Sequence, residues 1–221
     1  MLDTNSTRLP LHIPHIEAFD SFDPETIIST LQDKGVSGSI EHANWSEYQY
    51  KPLAVFNTAH DGKYIYIDFF VRCNYLRAVN SEDNSPVSQD SCVEFFVSPT
   101  CDNHYWNFEF NCIGAINASH RSVRNNPTRL THEELAQVLR YCSCGTRPFN
   151  EVEGLFAWNV LIAVPLSLIG VEYSGKPIEM TANFNKCASG TSQPHFLSWN
   201  PIVSEKPDFH RPECFAKIVL D

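Results

Sequence analysis

An antiparallel β-sandwich of jelly-roll type, all-β with one or two short peripheral helices, is the fold class this sequence predicts. Three observations predict it. β-prone runs rich in Val, Ile, Phe, Tyr and Trp recur along most of the chain, Gly, Pro and Asn punctuate them, and only two stretches carry helical signals.

The elements follow in order. Residues 9–16 (LPLHIPHI) are broken by proline and suit an edge strand or arm. Asp23 then offers a helix cap, Pro24 suits the first turn, and Ile27, Ile28 and Leu31 supply one apolar face before Gly35 and Gly38 stop it. Residues 39–50 read as irregular, anchored by Trp45, Tyr48 and Tyr50. Leu53, Val55 and Asn57 lead to the hairpin signal Asp61-Gly62, and residues 64–71 (YIYIDFFV) return as a strand. A polar loop around Ser85-Pro86 separates it from strands at 91–98 (SCVEFFVS) and 105–112 (YWNFEFNC), with a break at Gly114. Thr131 and Glu134 form a capping box, and Leu135, Val138 and Leu139 are expected to share one helical face. Strands are expected at 155–165, 179–186 (EMTANFNK) and 214–220. No repeat, linker or composition break divides the chain. One domain over 1–221 is expected, with 1–44 as an N-terminal arm and short helix.

Composition narrows the function classes. At 43% hydrophobic and 12% aromatic, the chain can bury a full core. A formal charge of −10 argues against nucleic acid and anionic membranes, which require Lys/Arg patches. The one local basic cluster, Arg121, Arg124 and Arg129, lies among Ser, Asn and Pro and reads as a solvated loop. Met1 to Pro10 is polar and precedes no apolar segment of the kind a secretory leader carries, so a cytoplasmic location is expected, or a periplasmic or secreted one if a leader is removed. The eight cysteines include no CxxC pair and no zinc-ribbon spacing. They are read as reduced thiols, with Cys92 and Cys112 as small buried hydrophobes; disulfides are the rival reading if the protein is exported.

The candidate binding residues come from strand alternation. Asn107, Glu109 and Asn111 share one face of their run, opposite Trp106, Phe108 and Phe110. Thr181, Asn183 and Asn185 share a face of theirs. Asparagine is a poor strand former, so four of them at two-residue spacing with a glutamate call for a reason. Hydroxyl-rich ligands supply one, because amides and carboxylates donate to and accept from sugar hydroxyls in fixed geometry. The rival is an exposed strand face or an internal polar network. Glu94 shares its face with Cys92 and Phe96, which places a carboxylate either beside a site or in a buried pair. Two proline-rich segments, 194–199 (PHFLSW) and 207–213 (PDFHRPE), bring Trp199, Phe209, His210 and Arg211 into loops. Aromatic faces there could stack on a pyranose, with packing on the sandwich edge as the alternative.

The blocks QDSCVEFF (89–96), NFEFN (107–111) and FHRPECF (209–215), in this order and at these separations, resemble the family 9 carbohydrate-binding modules and their DOMON-type relatives. The resemblance runs over about residues 45–220. It implies an antiparallel sandwich with a sugar site on one face, and often structural calcium. In xylanase-borne members two tryptophans clamp a terminal sugar and a glutamate of the VE-F strand hydrogen-bonds it. Glu94 matches that glutamate. Val87 stands where the first tryptophan would, Phe209 where the second would, and Glu109 where sugar-binding members carry arginine, which marks a divergent branch.

The expected function is therefore non-catalytic binding of a mono- or oligosaccharide of a plant or host glycan, such as xylan. Glu94, Asn107, Glu109, Asn111, Asn183, Asn185, Trp199, Phe209, His210 and Arg211 are the candidate contacts. No cofactor is required, and Asp83, Asp90 and Asp102 are the candidates for structural calcium. A glycan-degrading enzyme is the expected partner, in keeping with polysaccharide catabolism. Three alternatives remain: a glycoside hydrolase using Glu94 and Glu109 as paired carboxylates, an interaction module with no ligand, and a haem carrier. The haem reading has only Met1 and Met180 to draw on. His195 and His210 match no closed zinc site and are read as structural.

Overall fold

The structure, a computed structural model, describes residues 9–122 and 126–221; Met1 and Arg124 lie outside them. Two sheets pack face to face. The first begins with β1 (Leu11–Ile13), which pairs in parallel with the C-terminal strand β14 (Ala216–Leu220). It continues antiparallel through β12 (Ile178–Cys187), β6 (Cys92–Ser98), β7 (Tyr105–Asn111), β8 (Ile116–Arg121) and β9 (Pro127–Arg129). Along its free edge β12 changes partner: residues 178–182 pair with β14, and residues 185–187 with β13 (Phe196–Ser198), which in turn holds β3 (His42–Ala43). This fork opens one end of the sheet, and the candidate site lies there. The second sheet runs β10 (Leu139–Cys142), β11 (Phe149–Pro165), β5 (Tyr64–Ala78), β4 (Leu53–His60) and β2 (Val36–Ser39).

Alternation seals the space between the sheets. Val93, Phe95 and Val97 of β6, Phe108 and Phe110 of β7, and Ala182 and Phe184 of β12 face Ile67, Phe69 and Val71 of β5 and Val160 and Ile162 of β11. Phe56 of β4 stacks on Phe184 with ring centroids 3.8 Å apart, bridging the two sheets. Burying each such ring is worth roughly 1.5–3 kcal/mol. Gly38 of β2 sits opposite Phe56, and a Cβ there would overlap the Phe56 ring, so only glycine lets this edge strand approach.

Helix α1 (Pro24–Lys34) starts as expected. The Asp23 carboxylate accepts from the Thr26 backbone N–H at 3.2 Å, Pro24 opens the first turn, and Gly35 follows the last. Ile27 and Leu31 pack on the outer face of the second sheet against Ala59, Tyr66 and Leu161. At the other expected helix the capping box of Thr131 and Glu134 is present, but α2 is only His132–Leu135. Leu139 does not continue a helical face; it begins β10 against Ala163. Two further corrections concern the loops. Residues 39–50 contain β3, and two members of the basic cluster are on strands rather than in a loop, since Arg121 ends β8 and the exposed Arg129 lies on β9. Met180 is sealed in the core, out of reach of any haem.

Candidate functional site

The register of the first sheet puts the predicted polar residues into cross-strand rows on its outer face. Asn185 of β12 is paired with Glu94 of β6, Glu94 with Glu109 of β7, and Glu109 with Asn117 of β8. The next row is Asn183, Phe96, Asn107 and Ser119. Glu94 and Glu109 therefore stand side by side in the floor of a hollow of about 190 Å³. Phe96 and Cys187 complete that floor. Ser88 and Ser189 form one wall, where the Ser189 N–H donates to the Ser88 carbonyl at 3.0 Å. A Cβ on neighbouring Gly190 would lie 2.8 Å from the Gln89 carbonyl oxygen, so glycine permits this contact. Phe196, Phe209 and His210 form the opposite wall. A larger hollow of about 360 Å³, bordered by Leu53, Arg72 and Leu155 on the other sheet, has no carboxylate in its lining.

The two glutamates have different surroundings. Glu109 Oε1 accepts from Asn107 Nδ2 and Oε2 from Asn117 Nδ2, each at 3.0 Å. Asn107 Oδ1 in turn accepts from Ser119 Oγ at 2.6 Å and Arg121 Nε at 3.0 Å. Burial raises the Glu109 carboxyl above its usual range, while these amides and the Arg121 charge pull it back. Glu94 has weaker donors: Asn185 Nδ2 at 3.4 Å on Oε2, and the Cys187 and Cys92 thiols at 3.1 and 4.0 Å on Oε1. Burial, then the neighbouring Cys187 and Glu109, push its carboxyl well above the usual range. Asn185 Oδ1 is buried and has no hydrogen-bond partner among the described residues. A buried amide carbonyl and an under-coordinated carboxyl side by side are acceptors awaiting donors.

Not every predicted contact reaches the hollow. Asn183 clamps the segment after β13, donating to the Asn200 carbonyl at 3.0 Å and accepting from the Asn200 N–H at 2.9 Å. Asn111 donates to the Asn80 carbonyl and the Asp90 carboxylate and accepts from the Ala115 N–H at 3.0 Å. Both are internal clamps, because their side chains meet backbone before they meet solvent. Trp199 points to the core instead, edge-on to Phe184 at 5.5 Å and Phe56 at 6.1 Å. Arg211 lies outside the hollow, paired with Glu213 at 2.7 Å. Val87 is fully buried, while Phe209 is 8% exposed and packs beside Trp45 and Phe196. His210 keeps its place, its Nδ1 3.1 Å from the Tyr105 hydroxyl.

The calcium candidates do not converge. Asp90 accepts from the Val79 and Asn80 N–H groups and from Asn111, Asp83 from the Ile116 N–H and Arg140, and Asp102 from Thr100 and the His104 N–H. Each carboxylate thus closes a loop of its own. Sequence reasoning missed Cys187, Ser88 and Ser189, and named Phe196 only as part of a loop. Cys187 was legible, since it continues the alternation of Asn183 and Asn185 by one more step. The serines were not, because only the packing of two turns joins them.

Comparison with known proteins shows the family and the fold. The family model for carbohydrate-binding family 9 matches residues 27–220. A candidate carbohydrate-binding protein from Bacteroides uniformis ATCC 8492 is 34% identical, with a TM-score of 0.91 over 96% of this chain and 99% of that one. A family 9 module from Caldicellulosiruptor kristjanssonii in complex with glucose is 13% identical, with a TM-score of 0.57 over 96% of this chain and 95% of that one. The same organism's module in complex with cellotriose is 11% identical, with a TM-score of 0.55 over 95% and 92%. No curated protein matches.

Proposed function

This chain belongs to carbohydrate-binding family 9, and we propose on that footing that it binds the terminal unit of a mono- or oligosaccharide, without cleaving it, in the hollow over Glu94 and Glu109. The observation that carries the reading is the row Asn185–Glu94–Glu109 beneath the aromatic wall of Phe196 and Phe209, with unused acceptors at its centre. Sugar hydroxyls would supply the missing donors, and an apolar sugar face would lie against the rings. A hollow of about 190 Å³ favours one ring over a long chain. Phe209 and Phe196 would act in place of the tryptophan clamp, one wall rather than two.

Binding rather than hydrolysis is favoured by how the carboxylates are placed. Glycosidases set two carboxyl groups on opposite sides of the scissile bond. Here both rise from adjacent strands of one floor, as cross-strand neighbours. Absence of turnover of aryl glycosides is the expected result; turnover lost in both Glu94→Gln and Glu109→Gln would establish the hydrolase instead.

Glucose and cellotriose are the first probes, followed by an array of mono- and oligosaccharides. Calorimetry should show millimolar to micromolar affinity for at least one of them, about 4–8 kcal/mol. Glu94→Gln and Phe209→Ala should each weaken it by more than ~10-fold, since each removes a hydrogen-bonding or stacking contact of about 1.4 kcal/mol or more. Silence across the whole array, or affinity indifferent to both substitutions, would remove the hollow from consideration.

A further inference from the structure

Three potential ligands to a soft cation meet at one end of the hollow's floor. Cys92 and Cys187 are direct cross-strand partners on β6 and β12, and Glu94 follows Cys92 by two residues, which returns it to the same face. Cys92 Sγ, Cys187 Sγ and a Glu94 carboxylate oxygen all lie within 4.8 Å of one another. The carboxylate oxygen is 3.1 Å from one sulfur and 4.0 Å from the other. A tetrahedral zinc ion, with Zn–S near 2.3 Å and Zn–O near 2.0–2.2 Å, holds its ligands about 3.5–3.8 Å apart, so side-chain adjustments of no more than about 1 Å suffice.

We infer that Cys92, Cys187 and Glu94 form a three-ligand zinc site whose fourth position opens into the hollow. Two further features support it. Glu94 and Cys187 line the hollow, which gives an ion a way in from solvent, and the remaining position can take water or a ligand hydroxyl. The floor also gathers two carboxyl groups and two thiols, and the nearest donors on Glu94 are uncharged. Sulfur and carboxylate oxygen converging from two strands are the donor set that zinc takes. On binding, each thiol gives its proton to bulk water and its sulfur lone pair to the metal, and Glu94 gives up its proton if it carries one. The site stands independently of sugar binding, because metal uptake is measured with no glycan present.

The full chain, reduced and freed of metal by a chelator, is titrated with Co²⁺ and then Zn²⁺. One equivalent of Co²⁺ should produce thiolate-to-cobalt charge-transfer absorption with release of two to three protons, as the ligand set requires, and Zn²⁺ should then displace the cobalt and abolish that absorption without further proton release. Cys187→Ser and Cys92→Ser should each cost at least ~100-fold in affinity, because loss of mere outer-shell partners already costs 10–100-fold. Glu94→Gln should weaken uptake while leaving the charge-transfer band. Cys144→Ser, a change outside the hollow, should leave the equivalent in place, and far-ultraviolet circular dichroism of each variant checks its fold. Wild-type protein that shows no charge transfer overturns the proposal. So does uptake that survives in Cys187→Ser and vanishes in Cys144→Ser, which moves the metal to the neighbouring thiols Cys112, Cys142 and Cys144. A Cys92–Cys187 disulfide that persists under reductant, seen by mass, overturns it as well.

Discussion

At the scale of single residues, asparagine carries more than one role in this protein. Spacing alone marked Asn107, Asn111, Asn183 and Asn185 as one set. Their partners divide them: Asn111 and Asn183 clamp loops, Asn107 orients Glu109, and only Asn185 keeps a buried carbonyl oxygen without a partner. Substitution should separate these roles. Asn111→Ala leaves the Ala115 N–H and the Asp90 carboxylate short of a partner, so it should cost ~1–3 kcal/mol of stability in urea denaturation. Asn185→Ala should cost less stability than Asn111→Ala, yet lower affinity for whichever sugar the wild type binds, measured by calorimetry. If the two variants lose stability and affinity in the same proportion, the division is mistaken. The alternation that grouped these residues on one face was legible. Which of them would meet backbone and which a hollow was not, because that depends on loops at 80 and 200, far away in sequence.

At the scale of elements, legibility followed local chemistry. Both ends of α1 were readable because Asp23 and Pro24 at its start and Gly35 at its end act locally. The end of α2 was not, because what stops it is distant: the edge of β11 offers backbone partners from Val160 to Ala163, and residues 139–142 pair there instead of extending one helical turn. The same cause hid β2 and β3, short strands held by Phe56 and β13 rather than by their own sequence. Helix α1 covers the sheet that does not carry the hollow, and this separation can be tested. Leu31→Ala should destabilise the chain by ~2–5 kcal/mol through the cavity it leaves against Tyr66 and Leu161. Ligand affinity of the folded fraction should stay unchanged. A loss of affinity in folded Leu31→Ala protein would mean that the two sheets are energetically coupled at the site.

At the scale of the whole molecule, acid should pull on the fold in two directions at once. Glu94 binds its proton more tightly when folded, since burial raises its carboxyl above the unfolded value of about 4.3. Between that value and its folded one the native state holds more protons than the unfolded state, so this residue's contribution to stability falls as pH rises. His195 has the opposite sign. It is buried behind β12, where its Nε2 meets the Lys186 ammonium at 2.9 Å and its Nδ1 the Gln193 carbonyl at 2.8 Å. Burial, then the Lys186 charge, lower its pKa to about 2, far below the unfolded value of about 6.5. Its contribution is complete above about pH 6.5 and is lost as pH falls below that, because the unfolded chain then takes up a proton the native state refuses. His60 is lowered as well, through burial, and adds to the same trend. Difference measurements isolate each residue. In urea denaturation from about pH 4.5 to about pH 7.5, the stability of wild type minus that of Glu94→Gln should fall as pH rises. Wild type minus His195→Gln should rise over the same interval up to about pH 6.5 and then level. Parallel curves for wild type and Glu94→Gln would show that Glu94 is ionised at no cost. Its carboxylate would then already have adequate partners, and the acceptors in the floor of the hollow would not be waiting for a sugar.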